Sequence, residues 1–210
     1  MRITKFGHSC VRLEHGDVAL VLDPGVFATP EALDGATAVL ITHEHPDHYA
    51  PDLLAGSGAR IFTIDAVAAK IRDDAPDVAE RVTVVSPGES FDVGVPVRAV
   101  GEQHAVIHPE FPGFFNSGYV LTLGDQLVYH PGDALTDPEE RVDVLCAPVC
   151  APWLKISEAL DFAKLVGAPR NLGIHDRVYT EFAHGIVEGQ MARFLGEDQE
   201  YVRIPDGTDL

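Results

Sequence analysis

Basic side chains are scarce in this sequence: 15 Lys and Arg stand against 33 Asp and Glu, a formal net charge of -18 over 210 residues. Such a chain repels polyanions and lacks the cationic footprint of nucleic-acid binders, so nucleic acid is disfavoured as a partner. The acidic residues form no block and read as a solvated surface, not a disordered tail. Long apolar runs are missing as well. No stretch approaches the roughly 18 uninterrupted apolar residues of a membrane span. The segment Met1 to His8 lacks the apolar block and cleavage site of a signal peptide. The expectation is a cytoplasmic protein with no membrane partner. Cysteine is limited to Cys10, Cys146 and Cys150. An odd number in apolar surroundings fits buried thiols in a reducing compartment better than a disulfide framework. The spacing of Cys146 and Cys150 would suit a zinc site only with a second pair elsewhere, and there is none.

What is present is ordinary in bulk and unusual in pattern. A hydrophobic fraction of 46% supports a full core. No repeat or linker divides the chain, so residues 1–210 are expected to form one domain. Ile3 to Leu13 reads as strand, and Val18 to Leu22 and Ala38 to Ile41 are continuous apolar runs of the doubly buried kind. Further strands are expected near Arg60 to Ile64, Val82 to Val85, Val97 to Val100, Ser117 to Leu123, Gln126 to Tyr129, Val142 to Leu145 and Asn171 to Ile174. Helices are expected over Ala66 to Asp73, from an N-cap at Ser157 to Val166, and over Phe182 to Leu195. Strands interspersed with helices along the whole length predict an α/β or α+β layered sandwich.

The chemistry is concentrated in Thr42-His43-Glu44-His45-Pro46-Asp47-His48. Three imidazoles and a carboxylate fall within six residues, directly after an apolar strand. Neutral imidazole and carboxylate are preferred donors to a borderline ion such as Zn²⁺. In an irregular loop, His43 and His45 can serve one ion while Asp47 and His48 serve a second. More donors follow other predicted strands: His104 after Val97 to Val100, Asp133 after Gln126 to Tyr129, and His175 after Asn171 to Ile174. His108 competes with His104, which is preferred because it comes first after its strand. Asp23, Thr42, His8 and His130 are candidate outer partners. Asp23 serves equally well as the start of an Asp-Pro-Gly turn, and His130 as a proton donor or as packing beside the Asp133 turn.

These residues resemble the metallo-β-lactamase superfamily. Gly7-His8-Ser9-Cys10, Leu22-Asp23-Pro24-Gly25, Tyr129-His130-Pro131-Gly132-Asp133 and Gly173-Ile174-His175 are similar to a branch of small cytoplasmic metal-dependent hydrolases that includes the L-ascorbate-6-phosphate lactonase. The resemblance implies a four-layer αββα sandwich with two metal ions between the sheet edges. His43, His45 and His104 would hold the first ion; Asp47, His48 and His175 the second; Asp133 would bridge them. The ions would be zinc, with manganese or iron as alternatives. Two such ions sharing a water lower its pKa and supply hydroxide, with Asp47, His8 and His130 as the catalytic candidates. The turn reads Gly132-Asp133-Ala134 where Gly-Asp-Thr is commoner, so a hydroxyl beside the bridge is missing.

The expected function is hydrolysis of an ester, lactone or phosphoester in a small molecule. Alternatives are a phosphodiesterase or ribonuclease of the same superfamily, which the acidic charge disfavours, and an iron-binding redox enzyme, whose second cluster residue is usually Glu where this chain has His45. The resemblance also places Ala151 to Lys155 near the pocket, with Trp153 as a wall and Lys155 as an anion partner. The plainer reading, preferred here, is a Trp covering the core and a solvated Lys. Phe111 to Phe115 reads as a lid or a subunit contact, so a homo-oligomer stays open.

Overall fold

Apolar runs that need cover on both faces dictate the layering. The computed structural model describes residues 1–210 throughout. The chain begins with β1 (Arg2–Lys5), β2 (Val11–His15), β3 (Val18–Leu22), β4 (Ala38–Ile41), α1 (Pro51–Ala55), β5 (Arg60–Thr63), α2 (Asp65–Asp74) and β6 (Val82–Val84). It continues through β7 (Ser90–Asp92), β8 (Pro96–Val100), β9 (Gly118–Leu123), β10 (Gln126–His130), β11 (Val144–Pro148) and α3 (Ile156–Val166). It ends with β12 (Arg170–Ile174), α4 (Glu181–Phe194), β13 (Glu200–Val202) and β14 (Thr208–Asp209). Two seven-stranded sheets result, ordered β14-β1-β2-β3-β4-β5-β6 and β13-β12-β11-β10-β9-β8-β7.

Alternation along each strand sends residues to different layers. Leu20, Leu22, Leu40 and Phe62 of the first sheet meet Val97, Leu121, Val128 and Leu172 of the second in the central core. Their neighbours Val21, Val39, Ile41 and Ile61 point the other way, under Leu54 of α1 and Val67 and Ile71 of α2. On the far side, Val120, Tyr129 and Leu145 pack beneath Phe162, Ala163 and Val166 of α3. Val187 and Met191 dock α4 on Ala159 and Leu160 of α3. The order is α-β-β-α, as expected. No helix is long and apolar enough to cross a membrane.

Strand direction gathers the chemistry at one edge. β8 and β10 are each antiparallel to β9, and β10, β11 and β12 are mutually parallel, so β8, β10 and β12 share a direction. The Tyr119 hydroxyl donates to the Ile41 carbonyl (3.0 Å) and the Ser117 N–H to the Thr42 carbonyl (3.1 Å), tying the end of β4 to the second sheet.

Four expectations change. The strand expected over Ile3 to Leu13 is two strands, parted where Gly7 and His8 adopt positive φ (103° and 49°). Ser157 is not the N-cap: Lys155 is, its N–H bonded to the Glu158 carboxylate (2.8 Å). The strand expected at Val142 begins at Val144, because Asp143 turns its carboxylate to the Leu127 N–H (2.8 Å). Finally α1, β7, β13 and β14, of two to five residues each, are too short to show a periodic pattern.

Candidate metal centre

The turn after β3 and the loop after β4 are built against each other. Val26 donates its N–H to the Pro46 carbonyl (2.8 Å) and Ala50 to that of Pro24 (3.1 Å). Gly25 lies so close that a Cβ there would sit 2.1 Å from the Asp47 carbonyl carbon and 2.5 Å from the His48 nitrogen. Only glycine lets the two backbones approach this far. Of four non-glycine residues at positive φ, three belong to this region: His8 (49°), Asp23 (47°) and His175 (62°). Such strain persists where surrounding contacts over-determine it, which is typical of functional sites.

Three groups of donor atoms, each mutually within 4.8 Å, occupy the edge: His43, His45, His104 and Asp133; His48, Asp133 and His175; His8, Asp47 and His175. Asp133 alone belongs to both the His43 group and the His48 group. Its Oδ1 lies 2.6 Å from His175 Nε2 and 3.0 Å from His48 Nε2; its Oδ2 lies 3.3 Å from His104 Nε2 and 3.9 Å from His43 Nε2. The donors expected for the first ion form one group with Asp133, whereas those expected for the second are split: His48 and His175 group with Asp133, and Asp47 groups with His8 and His175. His104 is buried within the first group and His108 is exposed outside it.

Outer partners fix which ring nitrogen faces inward. Thr42 Oγ1 donates to Asp23 Oδ2 (2.7 Å) and so accepts from His43 Nδ1–H (3.0 Å), leaving His43 Nε2 as an inward lone pair. His48 Nδ1–H donates to Asp23 Oδ2 (2.6 Å), and His104 Nδ1–H to the Ala105 carbonyl (2.5 Å). Asp23, fully buried, also accepts the Thr42 N–H (2.8 Å) while its carbonyl starts the turn to Gly25, so both of its expected roles are realised. Asp23→Asn places an amide N–H₂ where two donors point. Its expected effect is a roughly 10–100-fold loss of metal affinity with the fold retained, measured by competition against a chromophoric chelator.

The donor set fits metal ions. Asp133 Oδ1 and His104 Nε2 are buried and make no directed hydrogen bond, although other donors crowd them. Atoms that converge without pointing at one another suit a shared cation better than mutual hydrogen bonds. Burial raises the Asp133 carboxyl, but the rings of His175 and His48 outweigh it and hold the group well below the usual carboxylate range. Burial likewise lowers His48, yet Asp133 and Asp23 win and hold it well above the usual imidazole range. The His43 ring, buried beside other imidazoles, is pushed well down. Asp47 is raised by burial and lowered more by His8, His48 and His175, to about 2.

The groups floor a cavity of about 430 Å³ walled by Val26, Phe27, Ile107, Pro152, Trp153 and Val178. His8 and Asp47 also line it, with His8 Nε2 3.3 Å from Asp47 Oδ2. Here the sequence reading needs correction at three residues. His130 is not the proton donor to the site but takes the other role expected of it: Nε2–H donates to the Ser9 carbonyl (2.9 Å) and Nδ1 accepts the Gly132 N–H (3.2 Å), so it braces the Asp133 turn. Trp153 is not a core cover; it walls the cavity and its indole N–H donates to Asp133 Oδ2 (2.9 Å). Cys150 is half-buried on the cavity wall, whereas Cys146 lies in the central core. Lys155 is solvated, as the plainer reading had it. Phe114 backs the ring of His45, centroids 4.7 Å apart, and Phe111 and Phe115 are exposed. Sequence reasoning missed Asn116, which accepts the Asp133 N–H (2.9 Å) and donates to the Pro131 carbonyl (2.9 Å). No local signal marks it, because its partners are 15 and 17 residues away.

Helices outside two facing sheets, with histidine and aspartate donors gathered at one edge, define an αββα protein with a metal-ligating rim. Residues 2–175 match the family model described as a β-lactamase superfamily domain, and the chain belongs to that superfamily. It is 39% identical to protein Rv0786c of Mycobacterium tuberculosis, over 94% of each chain. It is 30% identical to a UPF0173 metal-dependent hydrolase of Salinibacter ruber, over 71% of this chain and 72% of that one. Among solved structures it is similar to the metallo-β-lactamase fold protein YhfI of Bacillus subtilis (TM-score 0.77, 18% identity, 100% and 98% of the two chains). It also matches CmlA, a diiron β-hydroxylase of Streptomyces venezuelae (TM-score 0.72, 14% identity, 100% of this chain and 53% of that one). At these identities the two structures speak for the fold alone.

Proposed function

We propose that this protein is a zinc-dependent hydrolase of small-molecule ester, lactone or phosphoester bonds, working at a two-metal centre. The observation that carries the reading is Asp133, whose two oxygens reach into separate histidine groups at the floor of an open cavity. The metal-dependent hydrolase name of the Salinibacter ruber relative supports the reaction class. His43, His45 and His104 would hold one ion, Asp47, His48 and His175 the other, and Asp133 both. Zinc bound there would lower the pKa of a water toward neutrality and polarise the oxygen of the bond to be cut.

The chain's own residues do the rest. Asp47, ionised at neutral pH, stands at the cavity face and can accept a proton from an attacking water or orient it. His8 donates to Asp47 and keeps that carboxylate turned inward. Asp23 and Thr42 accept the outer N–H groups of His48 and His43 and so aim the inner ring nitrogens at the site. Trp153, clamping Asp133 from the cavity side, supplies a hydrogen bond to the carboxylate that the Gly-Asp-Ala turn does not. His45 at the second cluster position and the acidic surface keep the oxidative and ribonuclease alternatives behind hydrolysis. The test is a panel of lactones, carboxylic esters and phosphodiesters assayed with zinc-, manganese- and iron-loaded protein. Metal-dependent turnover of at least one hydrolysable class is expected; oxygen consumption with iron and no hydrolysis would move the reading to redox chemistry.

A further inference from the structure

We infer that the substrate carries a neutral, apolar group away from the bond that is cut, and that a charged tail, a phosphate included, is rejected. This rests on the hydrolase reading and concerns the walls of the same cavity. Val26, Phe27, Ile107, Pro152, Trp153 and Val178 form those walls, and no Lys or Arg lines the cavity. Val26 and Val178 are each 60% exposed, so two branched apolar side chains face water at the mouth. A bound apolar group would cover them.

None of the cations in the flanking segments lines the cavity. Lys5, fully buried, pairs with Asp176 (2.5 Å), Arg177 with Asp206, Arg203 with Glu181 (2.9 Å) and Lys155 with Glu158 (3.5 Å). The ionisable wall and floor groups other than histidine and Cys150 are Asp47 and Asp133, both carboxylates. An anionic tail seated against these walls would lose part of its water with no counter-charge in return, whereas an apolar tail gains by covering them. The reacting centre itself can take developing negative charge from the metals; the walls cannot.

Two measurements on zinc-loaded protein test this. The first is binding, read from the fluorescence of Trp153, the single tryptophan of the chain, with hexanamide and its ω-carboxylate analogue adipamate. The two share an amide head and differ only in the tail. Hexanamide is expected to bind at least about tenfold more tightly, and Val178→Lys to narrow that ratio. Equal or tighter binding of adipamate, or a ratio unmoved by Val178→Lys, would overturn the inference. The second is turnover of nitrophenyl esters from acetate to hexanoate, with kcat/KM rising by up to about fourfold per methylene. A flat or falling series would also overturn it. Absence of turnover on esters, lactones and phosphodiesters alike, with the hexanamide preference intact, would instead sink the hydrolase reading and leave the walls as described.

Discussion

Asp133→Ala is expected to leave a folded protein that holds at most one metal ion per chain and has lost nearly all hydrolytic activity. The drop in kcat/KM should exceed the roughly 10–100-fold that removal of an outer partner costs. No other residue spans the two donor groups. Its oxygens lie 2.6 Å from His175 Nε2 and 3.3 Å from His104 Nε2. Without it, His48 and His175, whose Nε2 atoms are only 2.8 Å apart, lose the carboxylate that stands between them and the first group. The indole N–H of Trp153 loses its acceptor as well. Elemental analysis of the purified variant beside its kinetics checks this. Unchanged metal stoichiometry would place the bridge elsewhere.

Gly25→Ala should be nearly as damaging, although Gly25 carries no donor. The added Cβ would lie 2.1 Å from both the carbonyl carbon and the oxygen of Asp47. Those are backbone atoms, so no side-chain rotation relieves the clash, and the segment bearing Asp47 and His48 must shift. A displacement of about 1 Å costs on the order of 100-fold in rate when reacting groups must be aligned. The expected result is that loss together with a lower Tm and weakened metal uptake. Gly189→Ala is the control: it lies in α4 with nothing near the new Cβ, so its gain in helix propensity should leave activity alone and raise stability slightly. Wild-type kinetics in Gly25→Ala would show that the close packing of the two loops is not needed.

The contrast between these residues shows what the sequence could reveal. His43 to His48 is legible because its donors are adjacent in the chain, and His104, Asp133 and His175 because each follows an apolar strand. Strand ends converge by topology, so position after a strand stands in for position in space. The layering was legible for a similar reason: Val18–Leu22 and Ala38–Ile41 are apolar on both faces, and runs this short and β-branched suit a strand covered on both sides. The role of Asn116 was not legible, and the roles of Trp153 and His130 were legible only as one of two alternatives. Each depends on a contact across 15 or more residues, Trp153 with Asp133, Asn116 with Pro131, His130 with Ser9. His, Trp and Asn at such places look like any core or turn residue until the partner is known. The cavity walls come from four separate segments, around Val26, Ile107, Trp153 and Val178, and no window of sequence contains them together.

The central claim is that one carboxylate joins two histidine-rich groups into a single hydrolytic metal centre. Its most direct test is zinc titration of the metal-free protein, with bound metal and ester or lactone hydrolysis followed on the same samples. Saturation at two ions per chain, with activity appearing as the sites fill, is the predicted result. Full hydrolytic activity in protein stripped of metal, or saturation with no activity on any ester, lactone or phosphodiester, would contradict it.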